Sequence, residues 1–379
     1  MDYAHATRSS LHDVLGRYTA GPGEGQLALD GALRHGHRVW LFGAGAFGRG
    51  AARSLQTRGL NVAGFVDAKK HGGEVDGLPV ISSNDGRLAS DDLGVIAVFN
   101  PHHSWGEVIT AARHAGIARI ATPVDLVDFA PETGSFWLVP RERLRAEMPR
   151  LLALRDRLAD DVSRAVLEGV LAFRLTGDPA LHPAVTADDQ YFPRDLRGAG
   201  LALDGLVTFL DGGAFTGDTA EFLLRSGVAL REWAAFEPDF GNFARLAARA
   251  ARLPVGRATL FPLGLSDREE ELLFDSRGDA ASSVGSGSDR IRTVALDHVL
   301  PGFRPDYVKL DVEGAERAAL RGMARTLAET RPRVAASCYH KPLDLADLCD
   351  ELSALLPGAR LYLRQHAESA FDTVMYAIP

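Results

Sequence analysis

The chain has 379 residues, 46% of them hydrophobic and 24% charged, with a formal net charge of −8 and two cysteines. That length exceeds one ordinary core and favours two domains. The acidic balance argues against a duplex nucleic-acid partner, whose phosphates call for clustered Lys and Arg. No run of about 18 apolar residues offers a membrane span. Cys338 and Cys349 are too few for a disulfide framework and lack metal-ligand spacing. The N-terminus, MDYAHATRSSLHDVL, lacks the apolar stretch of a signal peptide, so a reducing cytoplasm is the expected compartment.

Residues 1–37 read as a helical N-terminal arm. RVWLFG (38–43) is a short apolar run ending in glycine, the pattern of a buried strand. A helix through Arg58 follows, then a strand VAGFVD ending at Asp67. GGEVDGLPVIS marks a tight turn into a short strand, and GVIAVFN (94–100) and ARIATP (118–123) read as further strands around a helix at about 104–115. This alternation predicts a parallel sheet with helices on both faces over 38–135. Within it Gly43, Gly45, Phe47 and Gly48 form a loop between strand and helix, with Asp67 at the end of the next strand. That context suits a dinucleotide fingerprint, and such loops also take other phosphorylated ligands on helix N-terminal amides.

Residues 136–200 are predicted as a helical connector. Leu144, Met148, Leu151, Leu158, Val162, Val166 and Val170 recur at helical spacings and define one apolar face. Pro149 is expected to start or kink the main helix. Arg141, Arg143 and Arg145, with acids interspersed, read as a solvated helix face.

A second alternating series fills 201–379. Strands are expected at about 206–213, 232–237, 258–263, 306–311, 333–338, 359–364 and 372–378, the last two joined as a hairpin. The fold class is therefore α/β, with two Rossmann-like doubly wound domains, the second closed by an antiparallel last strand. Strand TFLD delivers Asp211 to a turn, GGAFTGDT, containing Gly213, Phe215, Thr216 and Gly217. Ligands of doubly wound sheets bind outside the strand carboxyl ends beside such a turn. Glycines let backbone approach a ligand closely, and an acidic strand end suits a ligand carrying ammonium or sulfonium charge. Glu237, followed by Pro238, ends the next strand, where a carboxylate accepts from both ribose hydroxyls of a nucleoside. Ser266 and Asp267, in GLSD, end the third strand where an adenine edge is expected, although S-D also makes an ordinary turn. In YVKLDVEGAE, Asp311 emerges at the fourth strand end facing the reacting centre, while Glu316 in the first helical turn favours the helix dipole.

The run VTFLDGGAFTGDT…AFEPDFGNFARL…LGLSDREEELLF…DYVKLDVEGAE resembles the FkbM family of S-adenosylmethionine-dependent methyltransferases. QYFP (190–193), ASSV (281–284), YHKPLDL (339–345) and the closing hairpin extend the resemblance over about 187–379. It implies a class I methyltransferase sheet, S-adenosylmethionine as cofactor, and methylation of a hydroxyl on a sugar-containing acceptor or natural product. It also implies cofactor-binding roles for Asp211, Gly213, Glu237 and Asp267. A hydroxyl nucleophile needs a base, and Asp311, His340 and His366 are the candidates, with Asp311 and His340 preferred. No metal site is expected. The sequence FGAGAFGRG…GFVDAKKHGGEVDGLPVIS resembles the N-terminal nucleotide-sugar-binding domain of sugar acetyltransferases. Its loop is left open between a nucleotide or nucleotide-sugar, NAD(P) in an oxidoreductase, and a scaffold that binds nothing.

Overall fold

The computed structural model describes residues 23–186, 189–275, 283–284 and 289–379. The arm up to residue 22, and residues 281–282 of the ASSV stretch, lie outside the described residues. The chain forms two compact units. Unit 1 takes the chain up to Leu152 together with Arg164–Val185 and Ala367–Phe371. Unit 2 takes Ala153–Ser163, Thr186–His366 and Asp372–Pro379. The connector predicted for 136–200 is thus divided between the units.

In unit 1 the strands are β1 (Arg38–Phe42), β2 (Asn61–Val66), β3 (Gly73–Val75), β4 (Leu78–Ile81), β5 (Leu93–Ile96) and β6 (Arg119–Ala121). They form one sheet in the order β3-β4-β2-β1-β5-β6, parallel except for the β3–β4 hairpin. The single strand expected in GGEVDGLPVIS is therefore two. Asp76 and Gly77 between them both have positive φ, the conformation a two-residue hairpin turn requires. Val39, Leu41, Phe65, Leu93 and Val95 are buried and pack with Ala51, Ala52 and Leu55 of the helix Ala46–Thr57.

The connector's apolar face is buried at Leu144, Met148, Leu151, Leu158, Val166 and Val170, while Val162 is exposed. It is broken into helices Arg141–Ala146, Met148–Ala153 and Asp161–Thr176, and Pro149 falls in the first turn of the second, where a missing N–H costs little. Arg141 does not sit on a solvated face. Its guanidinium is 2% exposed and donates to Asp125 Oδ1, Asp128 Oδ2 and Leu175 O, each at 2.6 Å. Arg141→Met leaves two carboxylates facing one another in unit 1, and removing one partner of such a buried cluster costs about 3–5 kcal/mol. A clear fall in the urea midpoint, followed by tryptophan fluorescence, is the expected result.

In unit 2 the main sheet comprises β7 (Leu206–Gly212), β8 (Ala229–Phe236), β9 (Arg257–Phe261), β14 (Tyr307–Leu310), β15 (Arg333–Ser337), β16 (Arg360–Gln365) and β17 (Thr373–Ile378). Its order is β16-β17-β15-β14-β7-β8-β9, with β17 antiparallel to both neighbours and all other pairs parallel. The seven expected strands and the antiparallel closure are present. A second sheet was not anticipated. It holds β10 (Gly264–Leu265), β11 (Glu270–Asp275), β12 (Ser283–Val284) and β13 (Asp289–Val294) in the order β10-β13-β11-β12. The small and polar residues of RGDAASSVGSGSD, within which β12 falls, give no strand pattern, because β-propensity there is low.

Candidate active site

The carboxyl ends of β7, β8 and β14 converge on a cavity of about 280 Å³. Gly213, Phe215, Glu237, Pro238, Ser266 and Asp311 line it, so six of the expected residues come together here. The turn after β7 demands glycine. Gly213 has φ +72°, and a Cβ there would stand 1.8 Å from Asp311 O. Gly217 has φ +81° and lies against Trp233 and Leu246. Phe215, also at positive φ, presents its backbone N–H to Glu237 Oε2 at 2.8 Å. Asp239 N donates to the other oxygen, Oε1, at 2.9 Å. Glu237 is thus fixed by one backbone N–H on each oxygen, which ties the glycine turn to the end of β8. Burial pushes its carboxyl up to about 7, against the pull of the Asp239 and Phe215 amides and Lys309.

Asp211 does not line the cavity. It is opposite Lys309 in the parallel register of β7 and β14, and paired positions share a sheet face. Lys309 Nζ therefore reaches Asp211 Oδ1 at 3.4 Å, and both side chains are buried. Burial pushes Asp211 up to about 6 although Lys309 opposes it. Lys309, unlike Asp211, faces the cavity; it also donates to Gly212 O at 3.3 Å and to Gly213 O. Thr216 and Gly217 shape the turn from behind the lining, and Asp267 is exposed beside Ser266, which does line the cavity.

Asp311 is held on both sides. Tyr191 O–H donates to Oδ2 at 2.8 Å, and His340 Nε2 lies 3.4 Å from Oδ1. Burial would raise the Asp311 pKa, but Lys309, His340, Tyr191 and Ser337 together hold it below the ordinary carboxylate value. His340 also faces Glu313 Oε2 at 3.5 Å and Glu316 Oε1 at 2.9 Å from Nδ1. Burial lowers its pKa, yet Glu316, Glu313 and Asp311 outweigh that and raise it to about 10. His340 is therefore an imidazolium at neutral pH, behind the cavity lining, and has no lone pair with which to accept a proton. That geometry argues against the expected base role and makes His340 a donor that keeps Asp311 ionised. Glu316 does more than favour a helix dipole: it accepts from Val312 N at 2.8 Å and anchors His340.

The raised His340 pKa has a sign. Its contribution to folding is complete below about pH 6.5, the ordinary histidine value, and is lost as pH rises through about 10. The melting-temperature gap between the wild type and His340→Gln is expected to be widest below pH 6.5 and to close toward pH 10. A gap independent of pH would mean the histidine is not held charged.

His366 is a structural residue. Its Nε2 lies 2.8 Å from Tyr376 O–H and its Nδ1 2.5 Å from Thr186 O, outside the lining. Sequence reading missed Gln190, Tyr191, Asn242, Thr293 and Tyr339 as lining residues. The QYFP stretch carried a signal for the first two, and the alternation of Ile291 and Thr293 with Arg290 and Arg292 in β13 was the signal for Thr293. Asp311, Glu316 and His340 also offer ligand atoms within 4.8 Å of one another, though His340 is held as a cation there.

In unit 1, Gly43 has φ +125°, and a Cβ on Gly48 would lie 2.0 Å from Gly43 O. Gly45 caps the helix Ala46–Thr57 without a side-chain bond. A separate cavity of about 510 Å³ lies here, lined by Gly43, Gly45, Phe47, Asp67, Lys69 and Lys70 among others. Asp67 accepts from Ala44 N at 3.0 Å, Lys69 N at 2.9 Å and Lys70 N at 3.1 Å.

A seven-stranded sheet with an antiparallel seventh strand, carrying a glycine turn and a fixed acid at the ends of β7 and β8, defines a class I methyltransferase-like α/β domain. Residues 211–364 match the model of the methyltransferase FkbM domain. The whole fold is similar to a crystal structure of methyltransferase FkbM from Methylobacillus flagellatus KT, with a TM-score of 0.78 at 22% identity, covering 98% of this chain and 99% of that one. The hexuronic acid methyltransferase AglP of Haloferax volcanii is 34% identical over 102 residues. That alignment takes in 24% of this chain and 41% of the relative, so the chain spans less than half of that relative's length. Among the described residues no helix is long and apolar enough to cross a membrane.

Proposed function

We propose that the protein transfers a methyl group from S-adenosylmethionine to a hydroxyl of a sugar-containing small molecule. The observation that carries this reading is Glu237, fixed at the cavity wall by Phe215 N and Asp239 N with lone pairs left for ribose hydroxyls. The sugar acceptor takes its support from the relative named for hexuronic acid. Gly213, Phe215 and Glu237 suit the nucleoside and Ser266 the adenine, since glycine backbone and a carboxylate meet the needs of a neutral ribose edge. When bound, S-adenosylmethionine supplies an already activated sulfonium methyl. What remains for the chain is to align the acceptor and take its proton. Asp311, ionised and steadied by Tyr191 and His340, is the base, and Tyr339 and Gln190 close the cavity beside it. Isothermal titration of the full chain with S-adenosylmethionine is expected to show saturable one-to-one binding. A folded sample that binds neither it nor S-adenosylhomocysteine would sink the reading.

For unit 1 we propose a phosphate-bearing ligand, with a nucleotide or nucleotide-sugar preferred to NAD(P). Lys69 and Lys70 beside an uncapped helix N-terminus suit phosphate. Asp67 is spent on three backbone amides, which leaves it poorly placed to read a cofactor ribose. Thermal stabilisation by UDP or a UDP-sugar, and not by NADH, is the expected outcome; the reverse would restore the oxidoreductase reading.

A further inference from the structure

Among the described residues lining the 280 Å³ cavity, Lys309 is the one Lys or Arg, set against Asp218, Glu237, Asp311, Glu313 and Asp372. A fully buried lysine–aspartate pair is expensive, because both ions lose their hydration and their attraction repays it only in good geometry. Here the Lys309–Asp211 separation is 3.4 Å, which is loose for a charge-assisted bond. Of the two backbone oxygens Lys309 reaches, Gly212 O already accepts from Asp311 N at 3.0 Å. Gly213 O is its one close partner, and the contacts to Asp211 and Gly212 O, at 3.4 and 3.3 Å, are both long. The ammonium nevertheless stays charged, since the surrounding carboxylates outweigh its burial. The cavity thus offers several acidic side chains and a single buried cation at the foot of the glycine turn.

That pattern is the complement of a ligand with two positive centres and one negative. We infer that Lys309 binds the carboxylate of the cofactor's amino-acid tail, with Asp211 behind it as the counter-ion that keeps it charged. The inference rests on S-adenosylmethionine being the cofactor, and it adds what the strand-end acids do not explain. It also gives Asp211 a positioning role, acting on the cofactor through Lys309.

The test compares two probes on two forms of the full chain. S-adenosylhomocysteine carries the carboxylate; its decarboxylated analogue, the adenosyl thiopropylamine, lacks only that group. In wild type, losing the carboxylate is expected to weaken binding roughly tenfold to a hundredfold, the range of a hydrogen bond to a charged group. The Lys309→Met/Asp211→Asn double variant removes both charges together, so no lone buried ion is left to unfold the protein. It is expected to bind the two probes about equally, at the weaker affinity. Equal binding of both probes by wild type overturns the inference without reference to any variant. So does a double variant that weakens both probes by the same factor, which is what a residue merely pinning the turn would do. Wild type that binds neither probe nor 5′-methylthioadenosine overturns the cofactor reading itself, and the inference with it.

Discussion

Glu237→Ala is expected to weaken S-adenosylhomocysteine binding by about two orders of magnitude or more. In the proposed binding mode two ribose hydroxyls donate to one carboxylate, and each bond to a charged group contributes roughly 1.5–3 kcal/mol. The substitution also frees Phe215 N and Asp239 N, which the carboxylate now holds at 2.8 and 2.9 Å, so the glycine turn loosens as well. The pH dependence separates the two effects. With the free carboxyl near pH 7, the ionised acceptor is complete only above that value. Affinity should be flat above pH 7 and fall as pH drops below it, by up to tenfold per pH unit. Glu237→Gln keeps a side-chain oxygen but cannot ionise, and its affinity should be lower and flat with pH across this range. Titration calorimetry between pH 5.5 and 8.5 reads both; an unchanged affinity in Glu237→Ala would refute the ribose assignment.

Asp311→Asn is expected to slow methyl transfer by about 10²- to 10⁴-fold, the usual contribution of a positioned general base. The readout is transfer to whichever hydroxylated acceptor wild type turns over. Cofactor binding should largely survive, because the proposed nucleoside contacts, Glu237 and Ser266, lie on other strands. Since Lys309, His340 and Tyr191 keep Asp311 ionised, wild-type turnover should show no loss of base near neutral pH. His340→Gln removes one of those supports. Its rate should fall less than that of Asp311→Asn, and its acid limb should move upward as the Asp311 carboxyl becomes easier to protonate. A His340→Gln rate as low as that of Asp311→Asn, with an unshifted profile, would return the base role to the histidine.

Much of the site could be read from residue order alone because it sits where parallel strands end. Strand apolarity marks β7, β8 and β14, and the next residue is then at a carboxyl end; Glu237 and Asp311 follow directly. What order does not reveal is the direction in which a side chain points. Asp211 and Lys309 look like separate strand residues until register places them opposite one another, and only then does the lysine, not the aspartate, face the cavity. His340 has an ordinary histidine's place in the sequence, and its charge comes from three acids brought near it by folding. The wall supplied by β10, β11 and β13 was hidden for a different reason. β10 has two residues only, and the glycine- and serine-rich segment between β11 and β13 separates two strands whose sequences, EELLFD and DRIRTV, are half charged and carry few apolar positions to mark them.

The tip of the β16–β17 hairpin, residues 367–371, belongs to unit 1. Ser369 O accepts from the Trp137 indole at 3.0 Å, Ala370 N donates to His182 Nε2 at 2.9 Å, and the Phe371 ring lies 4.8 Å from Phe99. The ribosome makes these five residues long after Val185, the end of the preceding segment of unit 1. The N-terminal sheet can form early, but its aromatic cluster stays incomplete until translation is nearly through this hairpin. A fragment cut after the connector would lack that cluster's last members, and its ligand-binding behaviour would not report on unit 1 as it exists in the full chain.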